Sequence, residues 1–221
     1  MYRGVAFDLD GTLVDSIADI GHALNVAFAS ESLPTFDVEQ VRRWVGDGPD
    51  GTIRRALTHL AITDTDDLLR SRLRTAYDRA ALAAPLDHGQ LYPGIVEVLT
   101  SLQTGTPLAV VTNKPTLLAR AVLEAAGILH FFSAVHGADR RELRKPEPVM
   151  LLAAARDLAT PVAQLCMVGD STADLGAAAR AGCRAVFVEW GYGKAEWPDA
   201  TPASVPRATS ASALLKLLHQ P

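Results

Sequence analysis

The sequence has few of the features that mark secreted, membrane-spanning or nucleic-acid-binding proteins. Its 221 residues include two cysteines, Cys166 and Cys183, too few for a disulfide framework, and we expect reduced thiols packed in the core of a cytoplasmic protein. No long uncharged apolar run predicts a transmembrane helix, and the first residues, MYRGVAFDLD, lack the pattern of a secretory signal.

Basic residues are not in excess either, since the formal net charge is -4. A chain with this charge has no electrostatic reason to bind nucleic acid or an anionic membrane, and we expect neither as a partner. No internal repeat or low-complexity tract is found. With 48% hydrophobic and 21% charged residues, the composition is that of a globular protein. The length suits one large domain, or a domain that carries a smaller insertion.

Short apolar runs alternate with segments of helical length over most of the chain. The runs that predict strands, each ending at a polar or glycine-containing turn, are 4–7, 107–111, 164–168 and 185–188. Helical segments over 116–126 and 148–159 lie between the later runs. This alternation predicts an α/β fold with a doubly wound parallel sheet, in which the ligand site lies beyond the carboxyl ends of the strands.

Residues 17–89 interrupt this alternation. The helical stretches predicted in this region are 16–30, 37–45, 49–60 and 66–84, and no convincing strand separates them. Pro85 and Gly89 mark the return of the chain to the sheet. We therefore expect an α/β core formed by residues 1–16 and 90–221, with an all-helical domain inserted over 17–89.

The first predicted strand runs directly into two carboxylates, in VAFDLDGTLVDS. Residues i and i+2 of a strand point to the same side, so Asp8 and Asp10 can converge at its end. Convergent oxygens suit a hard divalent cation such as Mg²⁺. From these residues alone, a solvated turn whose aspartates cap the next helix remains an alternative. An EF-hand loop does not, because its sixth position would be Leu13 instead of glycine and its twelfth Asp19 instead of glutamate.

Three later clusters of polar residues also follow predicted strands or turns. Residues 112–114, TNK, offer a hydroxyl, an amide and an ammonium to phosphoryl oxygens, although such a sequence by itself is usually a helix cap. Lys145, in the turn RKPEP, could neutralise a site crowded with carboxylates and phosphate, whereas most lysines are solvated. Asp170 and Asp174, in GDSTAD, are spaced one helical turn apart, with Asp170 at the strand end where a metal would lie.

Together and in this order, the motifs DxDGT, Thr112, Lys145 and GDxxxD resemble the four motifs of the haloacid dehalogenase-like hydrolases. The resemblance extends over nearly the whole chain, because residues 17–89 look like the helical cap that this family inserts after its first motif. The stretches VRRWVGDGPDGTIRRAL, AVVTNKP, KPEPVMLLAAA and WGYG are similar to the bacterial phosphoglycolate phosphatase subfamily.

The resemblance implies a Mg²⁺-dependent phosphatase that forms an aspartyl-phosphate intermediate. Asp8 would be the nucleophile, and Asp10 the general acid and base. Mg²⁺ would be held by Asp8, the backbone carbonyl of Asp10 and Asp170, while Asp174 would orient these ligands or their waters. Thr112 and Lys145 would complete the catalytic set. The residues expected to bind the phosphoryl oxygens are Gly11, Thr112, Asn113 and Lys145.

The resemblance also implies a small anionic phosphorylated metabolite as substrate, with 2-phosphoglycolate as the leading candidate. Related subfamilies share the motifs and a helical cap, so a sugar phosphate such as N-acetylmuramic acid 6-phosphate, pyrophosphate and a phosphomutase reaction stay open. Asp10 argues against dehalogenation, since a departing halide needs no acid. A phospho-receiver signalling domain is disfavoured, because it is much shorter and needs no helical insertion.

The expected cap should contain the groups that distinguish one substrate from another. Candidates to bind the substrate there and beside the phosphate are Gly46, Asp47, Arg55 and Lys114. The turn GDGPD opens a helix whose free amides could receive a carboxylate. Alternatively, Arg54 pairs with Asp50 and Arg55 faces solvent. The expected assembly is a monomer or a homodimer.

Overall fold

The computed structural model describes residues 2–63, 67–193 and 205–219. The strands in these ranges are β1 (Gly4–Phe7), β2 (Val14–Asp15), β3 (Gln90–Leu91), β4 (Leu108–Thr112), β5 (Ala134–Gly137), β6 (Leu165–Gly169), β7 (Arg184–Val188) and β8 (Arg207–Ala208). Six of them form a parallel sheet in the order β5-β4-β1-β6-β7-β8. The predicted parallel sheet is therefore confirmed, with β1 at its centre.

In the described ranges, the first four helices form a separate layer at the carboxyl ends of the strands, and the later helices cover the two faces of the sheet. They are α1 (Ile17–Ser30), α2 (Val38–Arg42), α3 (Gly48–His59), α4 (Leu68–Ala83), α5 (Ile95–Leu102), α6 (Thr116–Ala125), α7 (Val149–Asp157), α8 (Thr172–Ala181) and α9 (Ala211–His219). The predicted start of the fourth helix, at residue 66, lies outside the described residues. No helix of the described ranges is long and apolar enough to cross a membrane.

Both faces of the sheet are buried, because successive residues of each strand point to opposite sides. On one face, Val5 and Phe7 of β1 pack with buried residues of α5, α6 and α9. On the other, Ala6 packs with residues of α7 and α8. Cys166 is a free, buried thiol of the first cluster, and Cys183 is also free. The arrangement is the doubly wound sheet expected from the apolar runs.

Helices α1 to α4, called the helical block below, have a hydrophobic cluster of their own. Its aromatic centre is Phe28, Phe36 and Trp44, whose rings meet edge to face with centroids 5.0 and 4.9 Å apart. Leu118 of α6 also belongs to this cluster and joins the block to the sheet layer. The short strands β2 and β3 pair antiparallel, so the chain enters and leaves the block side by side.

Candidate active site

The carboxyl ends of β1, β4 and β6 lie side by side, because these strands are adjacent and parallel. Asp8 follows β1, Thr112 ends β4, and Asp170 follows β6. The amide of Asp8 donates to the carbonyl of Val168 (2.8 Å), which fixes the first carboxylate beside the end of β6. The fold thus brings together side chains more than a hundred residues apart in the sequence.

Lys145 lies among these three strand ends and is 3% exposed. Its Nζ lies 2.9 Å from Oδ1 of Asp8, and it donates to Oδ1 of Asp174 (2.6 Å) and to the carbonyl of Val111 (2.9 Å). Burial alone would lower the pKa of Lys145, but attraction to Asp174 and Asp8 outweighs burial and raises it. The ammonium is therefore a fixed positive charge with all three of its donors used.

Asn113 holds the turn that carries Lys145. Its Oδ1 accepts from the amide of Lys145 (2.8 Å), and its Nδ2 donates to the carbonyls of Lys145 (3.2 Å) and Gly46 (2.9 Å). The side-chain amide is committed on both sides to backbone groups. The side-chain amide thereby ties the Lys145 turn to the helical block, while Asn113 also lines the cavity described below and its binding to phosphate stays a prediction.

Three carboxylates crowd around this single lysine. Oxygens of Asp8, Asp170 and Asp174 all lie within 4.8 Å of one another. Burial raises the pKa of Asp8 to about 7, with repulsion from the other two carboxylates adding to the effect and Lys145 opposing it. Burial, together with the charge of Asp174, raises the pKa of Asp170 to about 6. An all-carboxylate set with excess negative charge can hold a hard metal ion.

The hydrogen bonds distinguish the three carboxylates. Both oxygens of Asp174 are engaged, Oδ1 by Lys145 and Oδ2 by the amide (3.0 Å) and hydroxyl (2.5 Å) of Ser171, the N-cap of α8. Oδ1 of Asp170 has only a 3.5 Å contact from the Thr12 hydroxyl, and no hydrogen bond reaches Oδ2 of Asp8 from the described residues. Asp8 and Asp170 thus have oxygens to offer a metal, and Asp174 braces Lys145.

The raised pKa values give a test of this cluster in metal-free protein. Unfolded aspartates lose their protons near pH 4, whereas folded Asp8 and Asp170 keep theirs until about pH 7 and about pH 6. The folded state binds more protons across this window, so the free energy of unfolding should fall as the pH rises from about 4 to about 7. Urea unfolding in chelator, compared with Asp8→Asn, measures this contribution. Equal slopes for the two proteins would contradict it.

Asp10 stands apart from the three carboxylates. Both of its oxygens accept from Nζ of Lys114 (2.8 Å each), and Oδ1 also accepts from the hydroxyl of Ser16 (2.5 Å). Lys114 is only 7% exposed, so this ion pair is shielded from water. With its carboxylate committed in this way, Asp10 has its backbone carbonyl to offer a metal, as the resemblance implies.

A loop after β7 completes the site, and sequence reasoning gave it no role. The amides of Tyr192 (2.7 Å) and Gly193 (3.1 Å) both donate to Oδ2 of Asp170. The Tyr192 hydroxyl accepts from the amide of Ser16 (2.6 Å) and donates to Asp15 (2.9 Å), where the chain enters the helical block. A Cβ at position 193 would collide with the backbone of Asp170, so the glycine permits this approach. In the sequence, the WGYG pattern was the only indication that this loop matters to the site.

These groups line a small cavity of about 90 Å³ between the sheet and the helical block. The sheet side includes Asp8, Asp10, Thr112, Lys114, Lys145 and Asp170. The helical block contributes Ile20, Val45, Gly46, Gly48, Pro49, Thr52 and Tyr77. Because α3 begins at Gly48, its amino-terminal end lies at the cavity, as the GDGPD turn predicts. The cavity is thus lined by residues from two parts of the chain.

Three other predicted binding residues do not line this cavity. Gly11 has a φ of +84° and lies against Asp170, and its amide donates to the carbonyl of Val14 (2.9 Å). Arg55 pairs with Asp47 and donates to the carbonyl of Trp44 (2.6 Å). The contacts of these residues with substrate or phosphate stay predictions.

The alternative pairing of these arginines is not observed either. Arg54 has Asp47 as its nearest carboxylate, at 3.9 Å, while Asp50 binds Arg74 and Arg144. The partners of Asp50 come from α4 and from the turn before Lys145, which the i, i+4 rule within one helix cannot predict.

Comparison with known proteins agrees with this geometry. The family model for haloacid dehalogenase-like hydrolase matches residues 5–188. Phosphoglycolate phosphatase of Escherichia coli K12 is 36% identical over 220 residues, covering 92% of this chain and 87% of that protein. That of Pectobacterium atrosepticum is 37% identical over 196 residues, covering 88% and 83%. The crystal structure of a predicted phosphoglycolate phosphatase from Haemophilus somnus superposes with a TM-score of 0.86 at 30% identity, covering 98% and 97%. The chain belongs to the haloacid dehalogenase-like hydrolases.

Proposed function

We propose that the protein is a Mg²⁺-dependent phosphatase that hydrolyses 2-phosphoglycolate to glycolate and phosphate. The observation that carries the proposal is the small cavity that is lined by Asp8, braced by Lys145, and by a second cation, Lys114. Two cations suit a substrate with two anionic groups. A cavity of about 90 Å³ favours a substrate of few atoms over a sugar phosphate. The names of the relatives support the same substrate.

The proposed reaction has two steps. Asp8 attacks phosphorus, an Oδ–P bond forms, and the P–O bond to the glycolate oxygen breaks while Asp10 gives that oxygen a proton. Asp10 then takes a proton from water, whose oxygen attacks the aspartyl phosphate and releases phosphate and Asp8. Thr112 would donate to the phosphoryl oxygens, and the buried positive charge of Lys145 would attract them. Mg²⁺ on Asp8, Asp170 and the Asp10 carbonyl would offset the phosphoryl charge when bound.

Lys114 would give this mechanism its substrate specificity. In the ion pair described above, Lys114 occupies both carboxylate oxygens of Asp10. A substrate carboxylate near the start of α3 would draw Lys114 away and leave an oxygen of Asp10 free to face the leaving-group oxygen. Only a substrate with a second anionic group would then release Asp10 from Lys114, so that Asp10 can act as the general acid. Asp47 and Arg55 take no part in this step.

We also propose that residues 17–89 form the cap domain and that residues 1–16 and 90–221 form the catalytic core. The separate hydrophobic cluster of α1 to α4 and the paired strands β2 and β3 support this division. A cap of this kind would exclude water and admit substrate by opening. The net charge of -4 supports a protein without a nucleic acid or membrane partner, and we propose that it acts as a monomer or homodimer in the cytoplasm.

Phosphate release from a panel of esters, with and without Mg²⁺, tests this function. We expect kcat/KM for 2-phosphoglycolate to exceed that for ethyl phosphate, which lacks the carboxylate, by at least about 10-fold, the usual scale of a charged hydrogen bond. Lys114→Met should reduce this ratio. Lys216→Met, at an exposed lysine of α9, should leave it unchanged.

Other outcomes of the same panel would replace the proposal. A higher kcat/KM for N-acetylmuramic acid 6-phosphate or pyrophosphate would assign the protein to one of those substrates. Little phosphate release, with conversion of a sugar phosphate only when a bisphosphate primer is present, would identify a phosphomutase. Full activity in chelator would remove Mg²⁺ from the mechanism.

A further inference from the structure

A second cavity, of about 460 Å³, lies between the helical block and the sheet layer and shares no residue with the catalytic cavity. Its lining is dominated by arginine, which comes from α3, α4 and the loop after β5. The arginines are Arg54, Arg70, Arg74, Arg140, Arg141 and Arg144. We call it the arginine cavity.

The described lining of the arginine cavity carries an excess of positive charge in a chain whose net charge is -4. Its three carboxylates are Asp50, Asp67 and Asp139, against six arginines. Asp139 is already occupied, because it accepts from the amide and hydroxyl of Thr116 (2.8 Å each). Like charges held close together repel, so an anionic ligand would be stabilised here.

Several guanidinium groups retain unused donors. Arg140 and Arg141 are exposed, and their side chains have no ion pair or hydrogen bond within the described ranges. The nearest carboxylate to Arg54 lies 3.9 Å away and is already paired with another arginine. Nε of Arg144 is buried without a hydrogen-bond partner among the described residues, which is unfavourable for a charged group. Donors are therefore available from both layers.

At two points in the sequence, a residue that lines the arginine cavity is next to a residue that lines the catalytic cavity. Pro49 lines the catalytic cavity and Asp50 the arginine cavity. In the same way, Lys145 lines the first and Arg144 the second. Asp50 binds both Arg144 and Arg74 (2.6 Å to the latter), which joins α3 and α4 to the turn that positions Lys145. A ligand on these arginines would contact both layers.

We propose that the arginine cavity is a second anion site, which binds a small oligophosphate (a molecule with two or more linked phosphate groups) and holds the helical block against the sheet layer. Guanidinium groups bind phosphate oxygens in pairs, so arginines from three elements suit several linked phosphates better than a single one. The volume also suits a small molecule, and a bound anion that bridges two layers stabilises their contact.

Calorimetric titration of the full chain with inorganic triphosphate, in chelator, tests this site. The double variant Arg140→Gln/Arg141→Gln should raise the Kd at least about 10-fold, because it removes two of the charged donors that would bind phosphate oxygens. The control Arg120→Gln/Arg156→Gln removes the same charge from exposed arginines of α6 and α7 and should stay within about 2-fold of wild type.

Thermal unfolding gives a second measurement. Triphosphate should raise the melting temperature of the wild type and of the control more than that of the double variant. The same measurements with a nucleoside triphosphate show whether the natural ligand is a nucleotide, since a base contribution would tighten binding beyond that of triphosphate alone. Equal Kd values for all three proteins, or no binding by the wild type at millimolar triphosphate, would overturn the proposal. No step uses turnover, so failure here leaves the proposed phosphatase activity intact.

Discussion

Asp8→Asn should lower the rate of phosphate release by at least about 10⁴-fold, because an amide cannot form the aspartyl phosphate. The amide is close to the carboxylate in size, so it preserves the packing against Leu9 and the ends of β1 and β6. Steady-state phosphate release with 2-phosphoglycolate and Mg²⁺ measures the loss. Asp87→Asn, at an exposed aspartate, is the matched control and should retain wild-type turnover.

The same variant should not be less stable than the wild type in chelator at neutral pH. It removes one of three carboxylates that crowd around Lys145, and burial raises the pKa of that carboxyl to about 7. The cost of ionising Asp8 inside the protein is therefore absent from the variant. Turnover above about 1% of wild type in a folded variant would contradict the nucleophile assignment. Urea unfolding of the same sample shows that the lost activity is not lost folding.

Much of the fold follows from local sequence patterns. The apolar runs that became β1, β4, β6 and β7 are continuous because both faces of a parallel sheet are buried. The strand β5 was not predicted, since it lies at the sheet edge and only its last residue is fully buried. An edge strand that is only half buried needs few apolar residues, so it leaves little hydrophobic pattern in the sequence. A strand of two residues leaves even less.

The residues of the candidate site also fall into those that the sequence predicted and those that it did not. Side chains at strand ends, such as Asp8 and Asp170, were predicted because the topology alone brings the carboxyl ends of neighbouring strands together. The hydrogen-bond partners of Asn113 and Arg55 were not predicted, because they lie outside the elements that carry these two residues and a single sequence does not specify that packing. Tyr192 acts mainly through its backbone amide and its hydroxyl, and neither leaves a pattern in the spacing of residue types.

Lys145→Met should produce the largest loss of stability among single changes at this site. It leaves Asp8, Asp170 and Asp174 buried without their positive partner, and breaking a buried ion pair in this way costs about 3–5 kcal/mol. Methionine fills much of the space of the lysine stem, so the loss reports on charge more than on volume. Chemical unfolding in chelator measures it, and turnover should fall by at least about 10³-fold.

The pH dependence of this loss separates charge from packing. As the pH falls below the raised pKa values of Asp8 and Asp170, about 7 and about 6, both carboxyls take up protons and no longer need a cation. The stability gap between Lys145→Met and wild type should therefore be widest above pH 7 and narrow toward pH 5, and Mg²⁺ should narrow it at neutral pH. Lys216→Met, at an exposed lysine of α9, is the control, and its stability gap from wild type should not change with pH. A gap that stayed constant from pH 5 to 8 would mean that Lys145 stabilises the fold by packing alone.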